Sequence, residues 1–201
     1  DAVLLVPGRI DSGPMPQPWE FQVGFDPATG KLTQVAAEGN ERYAAYVEAH
    51  NRADEAFRRA IARLLPVAEE TRVVLAVENV WNNLFVDPAH FAHFVDSFGS
   101  PWVRAYLDLG NHVKYSPTER WVSVLGKRIA RCHVKDFRLN PDGHGGRFVD
   151  IGDGSVDWPV VRKALADAGY VGWATIEGSG GLPLAEQHAR LERLLPPVTH
   201  P

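Results

Sequence analysis

The sequence predicts an α/β fold made of parallel βα units, with a (β/α)8 barrel as the favoured architecture. Short apolar runs rich in branched and aromatic residues recur along the chain, as buried parallel strands do. Segments with helical hydrophobic spacing, or loops rich in glycine, proline and asparagine, separate these runs. No Gly-x-Gly-x-x-Gly or Walker pattern lies between a strand and its helix, which weakens nucleotide-binding α/β folds as alternatives.

Five apolar runs are the predicted strands of the sheet. They cover residues 3–6, 73–77, 103–107, 129–134 and 173–176. Because helical segments separate them, right-handed crossovers should make the strands parallel. Two long connections, 9–40 and 139–153, are expected to be lids or substrate walls, since long loops in a compact α/β domain often have that role.

Capping residues predict where the helices begin. The long helical pattern between the first two strands contains Pro66, which is expected to kink or end that helix. Asp87 before a proline predicts an N-cap with proline at the first helical position. Residues 116–119 have the pattern of a capping box. Asp157 predicts the start of a fourth helix, and the last helix carries the leucine pattern of 184–195.

Composition and charge exclude several classes of protein. The 201 residues are 45% hydrophobic, which excludes a disordered tail or a fibre. The 21 basic and 25 acidic residues give a charge of −4 with no long basic run, so nucleic acid is not expected as a partner. Cys132 is the single cysteine, which suits a reducing, cytoplasmic location. No apolar run reaches 18 residues, so a soluble protein with no membrane partner is expected.

Four polar residues lie at the ends of predicted strands: Glu78, Asp108, His133 and Glu177. Taken singly, such residues are more often caps, ion pairs or buried core histidines. In a barrel, however, the carboxyl ends of the strands converge on one face, where catalysis takes place. Three carboxylates brought together there would repel one another unless a cation neutralised them, so a divalent metal is predicted. Oxygen-rich ligation with one imidazole favours Mn²⁺ or Mg²⁺, with Co²⁺ or Zn²⁺ as alternatives.

An ordered set of motifs surrounds these residues. They are VENVWN at 77–82, YLDLGN at 106–111, HVKDF at 133–137, GDGSVDW at 152–158, GYVG at 169–172 and IE at 176–177. The set resembles the xylose-isomerase-like superfamily of TIM-barrel sugar isomerases and epimerases. The branch it resembles most includes L-ribulose-5-phosphate (L-xylulose-5-phosphate) 3-epimerases and hexulose-6-phosphate isomerase-like proteins. The resemblance extends over residues 2–195.

The resemblance implies a metal held by Glu78, Asp108, His133 and Glu177, with Glu78 and Glu177 as the catalytic acid and base. Such an enzyme would act on a ketose or ketose phosphate through a metal-stabilised enediolate. The same chemistry serves 3-epimerisation, aldose–ketose isomerisation and elimination. A metal-dependent lyase or dehydratase acting on an inositol-like or 3-keto-sugar substrate therefore stays open as the alternative. A DNA-cleaving relative and a non-catalytic fragment are weaker possibilities.

Four further residues are candidates for substrate binding: Asn111, Lys135, Arg138 and Trp81. Asn111 occupies the place where free-ketose 3-epimerases of the superfamily tend to have histidine, and the Asp-x-Gly-Asn form resembles the phosphate branch. Lys135 and Arg138 could hold a phosphate or sugar hydroxyls. An ion pair of Lys135 with Asp136 or with another acid is equally open. Trp81 could stack on a sugar ring.

One departure from the family concerns length. Members have about three further βα units before the strand that residues 3–6 resemble, whereas this chain has five predicted strands of the eight in a closed barrel. The expectation is a single domain over 1–201 that lacks its N-terminal strands and retains about five C-terminal βα units. Its open edges favour a homo-oligomer, or completion by a missing N-terminal segment. A small sugar or sugar phosphate is the other expected partner.

Overall fold

The computed structural model describes residues 1–178 and 181–195, so residues 179–180 and 196–201 of the predicted domain lie outside the description. The strands are β1 (Ala2–Leu5), β2 (Gly24–Phe25), β3 (Leu32–Gln34), β4 (Val74–Glu78), β5 (Val103–Asp108), β6 (Ile129–Val134), β7 (Asp136–Leu139), β8 (Gly146–Val149) and β9 (Ala174–Ile176). The helices are α1 (Ala44–Thr71), α2 (Pro88–Asp96), α3 (Thr118–Leu125), α4 (Trp158–Asp167) and α5 (Leu184–Leu194).

Five strands form one parallel sheet in the order β1, β4, β5, β6, β9. Helices α1, α2, α3 and α4 lie between successive strands of this sheet along the chain, as right-handed βαβ units require. The register places Glu78 beside Tyr106 and Asp108 beside His133. The five predicted strands and their parallel direction are therefore confirmed, with ends that differ by one residue at most.

The two faces of the sheet are buried differently. The helices cover one face, where α2 packs against α3 and α3 against α4. The large side chains fully buried beneath them include Phe85, Phe91, Phe94, Leu107, Trp121, Leu125 and Ile129. Because side chains alternate between the two faces of a strand, the small cluster of Ala76, Tyr106 and Ala130 lies on the opposite face. This arrangement of helices outside and small residues inside is that of a barrel wall.

Helix α1 continues through Pro66, so this proline does not end the helix, and a kink there stays a prediction. Proline has no N–H to donate to the preceding turn, which weakens the helix at this point. Pro66 is exposed, however, whereas Ile61 before it and Ala68 after it are buried in the core. Packing on both sides of the proline therefore holds the helix until Thr71, after which Arg72 adopts the left-handed conformation with φ of 55°.

Two of the three predicted helix starts are confirmed. The Asp87 carboxylate accepts the N–H groups of Ala89 and His90, and the Asp157 carboxylate accepts that of Val160. The capping box at 116–119 is wrong, because no side chain caps the first turn of α3.

At the start of α3, the Ser116 hydroxyl has a different partner from the one that a capping box requires. It accepts the indole N–H of Trp121, a residue of α3 itself. The neighbouring Thr118 hydroxyl donates to the carbonyl of Leu109, just after β5. The Ser116 oxygen is therefore bonded to a side chain of the helix and not to a backbone N–H of its first turn.

The two long connections contain strands of their own. Within 139–153, β8 pairs antiparallel with β7, and within 9–40, β2 pairs with β3. A stacked contact joins the two connections, because the ring of Trp19 lies 4.1 Å from that of His144 at an interplanar angle of 16°. The two long connections are therefore built on hairpins that touch each other, and their role as lids or substrate walls stays a prediction.

The carboxylate of Asp136 fastens the end of the 139–153 connection, and the residues that follow it, to the start of β7. Asp136 is fully buried at the start of β7. It accepts hydrogen bonds from the backbone N–H groups of Phe137, Gly152, Gly154 and Val156 and from the indole of Trp158. Gly154 approaches so closely that an added Cβ would lie 1.9 Å from Asp136 Oδ1. One side chain thus orders the segment that leads into α4, and Trp158 is buried in the core.

Strands β1 and β9 are the edges of the parallel sheet as described. Large apolar side chains are exposed at both edges, with Val3 43% and Val6 59% exposed near β1 and Trp173 73% exposed beside β9. The expected oligomer, or completing segment, stays a prediction. Among the helices of the described residues, none is both long and apolar enough to span a membrane.

Replacing Pro66 by alanine should stabilise the protein by about 1 to 2 kcal/mol, since alanine restores the missing helical hydrogen bond. Urea unfolding of Pro66→Ala against the parent chain measures the change. Arg63→Ala, an exposed position on the same helix, is the control and should change the free energy of unfolding by less than about 0.5 kcal/mol. A destabilised Pro66→Ala would contradict this account.

Replacing Asp136 by alanine should destabilise the protein by about 3 kcal/mol or more, because several buried donors lose their acceptor. Chemical unfolding followed by tryptophan fluorescence measures the loss. Asp142→Ala, at an exposed position of the same connection, should shift stability by less than about 0.5 kcal/mol. Equal effects of the two substitutions would show that Asp136 does not anchor the segment.

Candidate metal centre

Four strand ends bring the predicted metal ligands together. Glu78 ends β4, Asp108 ends β5, His133 is the fifth residue of β6, and Glu177 directly follows β9. One possible ligand atom from each residue lies within 4.8 Å of all the others. The convergence that the strand-end pattern predicted is therefore present.

Curvature of the sheet makes this convergence possible. Strands β4 and β9 are separated by β5 and β6, and three strand spacings in a flat sheet amount to about 14 Å. Glu78 and Glu177 nevertheless place carboxylate oxygens within 4.8 Å of each other. The sheet must therefore bend around the site, as the wall of a barrel does.

Two cationic side chains lie among the three carboxylates. His133 Nδ1 is 2.9 Å from Glu78 Oε1, 3.4 Å from Glu177 Oε2 and 4.0 Å from Asp108 Oδ2. Lys135 Nζ is 2.6 Å from Glu177 Oε2 and 3.5 Å from Asp108 Oδ2. Of the two ion pairs left open for Lys135, the structure forms the one with the site acids and not the one with Asp136.

The ionisation of the cluster reflects this crowding. Burial raises the pKa of Asp108 above its usual range, although nearby Lys135 partly opposes the effect. Burial alone would raise the pKa of Glu177, but hydrogen bonds with Lys135 and Asp108, together with the charges of Lys135 and His133, outweigh it and the pKa is lowered. Burial alone would lower the pKa of His133, but its hydrogen bond to Glu78 and the charges of the three carboxylates together raise it. The surroundings thus favour the protonated forms of His133 and Asp108 and the ionised form of Glu177.

A network behind Asp108 orients its carboxylate. Asp108 Oδ1 accepts the backbone N–H groups of Gly110 and Asn111 at 2.8 and 2.7 Å. The Asn79 side chain accepts the N–H of Asp108 and donates to its carbonyl oxygen, and it also contacts Nδ1 of His112. Sequence reasoning missed Asn79 and His112. Asn79 could have been found by the same strand-end pattern, because it directly follows Glu78.

The donor set suits a divalent cation. Asp108 Oδ2 is buried with no hydrogen-bond partner, while Oδ1 is fully engaged. Three carboxylates with one imidazole are a hard, oxygen-rich set, with no sulfur ligand. Glu78, Asp108, His133 and Glu177 could therefore hold a metal, whose charge would offset the repulsion among the three carboxylates.

Three of the four predicted substrate-binding residues lie around this cluster. Asn111 is buried with its Oδ1 3.4 Å from Lys135 Nζ. The Trp81 indole donates to the carbonyl oxygen of Asn111. Arg138 lies apart from them, because it is exposed and its guanidinium donates to the backbone carbonyl of Asp153. Trp81, Asn111 and Lys135 thus form one side of the site, and Arg138 holds the neighbouring connection.

This combination of fold and strand-end cluster agrees with a known family. A family model described as a xylose isomerase-like TIM barrel matches residues 30–194. The chain belongs to the xylose isomerase-like TIM barrel family. The predicted barrel class and the family resemblance are confirmed, and the five-stranded sheet is part of such a barrel.

Individual relatives of this xylose isomerase-like chain agree with the family. SgbU of Escherichia coli (strain K12) is provisionally named an L-ribulose-5-phosphate 3-epimerase. It is 28% identical to this chain over 141 aligned residues, and the alignment covers 67% of this chain and 49% of SgbU. The chain thus spans about half the length of this curated relative.

Two solved structures share the fold. A D-tagatose 3-epimerase-like protein superposes with a TM-score of 0.66 at 18% identity, over 97% of this chain and 62% of that one. The IOLI protein with a bound zinc atom gives a TM-score of 0.62 at 16% identity, over 73% and 57%. At these identities the likeness concerns the fold of the xylose isomerase-like barrel.

Binding of Mn²⁺ should weaken as the pH falls, because protonated His133 and Asp108 cannot act as ligands. Both groups have a raised pKa, so the loss should begin at a higher pH than an unshifted carboxylate or imidazole would give. Affinity should fall by about tenfold per pH unit for each proton that the metal displaces. Isothermal titration between about pH 5.5 and 8 measures this dependence.

The matched pair for that titration is His133→Gln and His188→Gln. His188 is exposed on α5, where it lies near Glu192. Only His133→Gln should weaken binding and flatten the pH dependence. A pH-independent affinity, or equal effects of the two substitutions, would count against the proposed ligand set.

Proposed function

We propose that the chain carries the metal-dependent catalytic centre of a sugar isomerase or epimerase that acts on a ketose or ketose phosphate. The single observation that carries this proposal is the convergence of Glu78, Asp108, His133 and Glu177 at the carboxyl ends of parallel strands. Membership of the family supports it. The name of SgbU supports a pentulose 5-phosphate as substrate.

In this proposal Glu78, Asp108, His133 and Glu177 hold the ion, and Mn²⁺ or Mg²⁺ is the expected metal. The zinc atom in the IOLI structure supports a divalent ion of some kind. When bound, the ion supplies Lewis-acid polarisation of a substrate carbonyl. The protein's own groups then have to remove and return a proton at the adjacent carbon.

Glu78 and Glu177 are the proposed acid and base, and their surroundings differ. The side chain of Glu78 is 5% exposed and that of Glu177 is 45% exposed, so Glu177 faces the open side of the cluster. Lys135 lowers the pKa of Glu177, which keeps it ionised and able to accept a proton. His133 bridges the two glutamates through its Nδ1 contacts, which orients both carboxylates towards the same space.

We also propose that residues 1–201 are one domain whose barrel is completed by further βα units. The open edges at β1 and β9 and their exposed apolar side chains support this. An N-terminal segment or a second copy of the chain could provide those units. The sugar would then bind between this half of the wall and the part that closes it.

Replacing Glu177 by glutamine should slow proton exchange at the carbon next to the carbonyl by at least about 100-fold, since a general base is lost. NMR in deuterated water with Mn²⁺ and L-ribulose 5-phosphate measures the exchange, on the 201-residue chain and on the complete gene product. Glu55→Gln, at an exposed position on α1, is the control and should exchange at the parent rate.

The product separates the two enzyme classes. Deuterium incorporation with every oxygen retained supports epimerisation or isomerisation, and loss of water supports the dehydratase alternative. Exchange that persists in Glu177→Gln, or that needs no divalent metal, would refute the proposed centre.

A further inference from the structure

Lys114, in the connection between β5 and α3, has an unusual environment for a half-buried lysine. Its Nζ lies 3.6 Å from the centre of the Trp81 ring and 5.0 Å from that of Tyr115. Within residues 1–178 and 181–195, it has neither an ion pair nor a hydrogen-bond partner. Aromatic rings attract an ammonium group but do not cancel its charge. Lys114 therefore presents an uncompensated positive charge.

Three other cations near the site are already engaged. Lys135 lies between Asp108 and Glu177, Arg138 donates to a backbone carbonyl, and Arg9 pairs with Asp11 at 2.7 Å. Lys114 differs from these three because, among the described residues, no carboxylate or carbonyl oxygen is at ion-pair or hydrogen-bond distance from it. It is therefore available to bind an anion that arrives from solution.

A continuous set of contacts joins Lys114 to the candidate metal centre. Lys114 lies over the ring of Trp81, and the indole N–H of Trp81 donates to the carbonyl oxygen of Asn111. The ring of Trp81 lies 4.7 Å from that of Phe148, and Phe148 in turn contacts Lys135 at 5.0 Å. Trp81 and Phe148 thus form an aromatic wall between the two ammonium groups. Through this wall, Lys114 is joined by side-chain contacts to Lys135, which itself pairs with Glu177.

We propose that Lys114 is a substrate-binding residue that holds the phosphate group of a ketose phosphate, while the ketose end lies at Glu78 and Glu177. This assignment rests on the proposed function, and it specifies a phosphorylated substrate. Lysine binds phosphate as a compact charge with three donors, and the flanking rings fix where that charge lies.

The ionisation of Lys114 agrees with this role. Burial, with a smaller effect from the charge of Arg9, lowers the pKa of Lys114 to about 8. The ammonium form is thus less stable here than in water, because no anion accompanies it. A bound phosphate would supply that anion and favour the charged form.

The first test uses the unmodified chain and needs no substitution. Acetic anhydride labels amines in proportion to their access and basicity, and peptide mass spectrometry reports each lysine separately. L-ribulose 5-phosphate and inorganic phosphate should each slow acetylation of Lys114 by at least about fivefold, whereas L-ribulose should not. Lys163, exposed on α4 and paired with Asp167, should label at the same rate throughout. Equal protection by L-ribulose, or no protection by phosphate, would overturn the proposal.

The second test compares Lys114→Met with Lys163→Met in the Mn²⁺-loaded protein. Methionine keeps the apolar stem on the Trp81 ring and removes the charge. The dissociation constant for L-ribulose 5-phosphate should rise by at least about tenfold in Lys114→Met only, and that for L-ribulose should be unchanged. Lys114→Arg, which restores the charge, should recover most of the preference for the phosphate ester. A preference that is the same in all three variants would overturn the proposal.

Failure of this assignment is distinguishable from failure of the proposed function. Both tests measure binding and need no turnover. Deuterium exchange that depends on Glu177, together with unchanged binding in Lys114→Met, would refute the assignment of Lys114 to the phosphate and leave the proposed reaction intact. If phosphate protects Lys114 but no deuterium exchange occurs at the substrate, the anion site is supported and the proposed reaction is refuted.

Discussion

The repulsion among three carboxylates in a confined space is the constraint on which the rest of the site depends. Glu78, Asp108 and Glu177 come from three strands and lie around His133 within 4.8 Å. Such a group is stable only if positive charge accompanies it. In the described residues that charge comes from His133 and Lys135. A divalent ion would do the same with greater charge at shorter range, which is why this arrangement is suited to binding one.

The curvature of the sheet, and the helices packed on its outer face, bring the three carboxylates close together. Four strand ends meet because the sheet bends, and the helices that cover its outer face hold that bend through a large apolar core. Polar contacts then set the finer geometry. Asn79 holds both backbone groups of Asp108, and Asp136 fastens the segment between β8 and α4. Strand β8, paired with β7, places Phe148 against Trp81 and so completes the aromatic wall.

Patterns that depend on a single element could be predicted from sequence, and contacts between elements could not. The five parallel strands, the Asp87 and Asp157 caps and the four metal-ligand candidates follow from local hydrophobic runs and strand ends. The capping box at 116–119 failed because the Ser116 hydroxyl accepts the Trp121 indole N–H in place of a backbone N–H of the first turn. Helix α1 passes through Pro66 because burial on both sides outweighs one lost hydrogen bond. The β7–β8 hairpin was not predicted, and its two strands pair with each other outside the five-stranded parallel sheet.

The sequence by itself determined the fold class, the family resemblance and the identity of the four clustered residues. These follow from periodicity and residue type, which are properties of short segments. Only the tertiary structure decided which cations accompany the cluster, placing Lys135 among the acids, Arg138 on a backbone carbonyl and Lys114 on the Trp81 ring. The physical reason is that the state of a charge depends on its neighbours and burial, and folding brings those neighbours from distant parts of the chain.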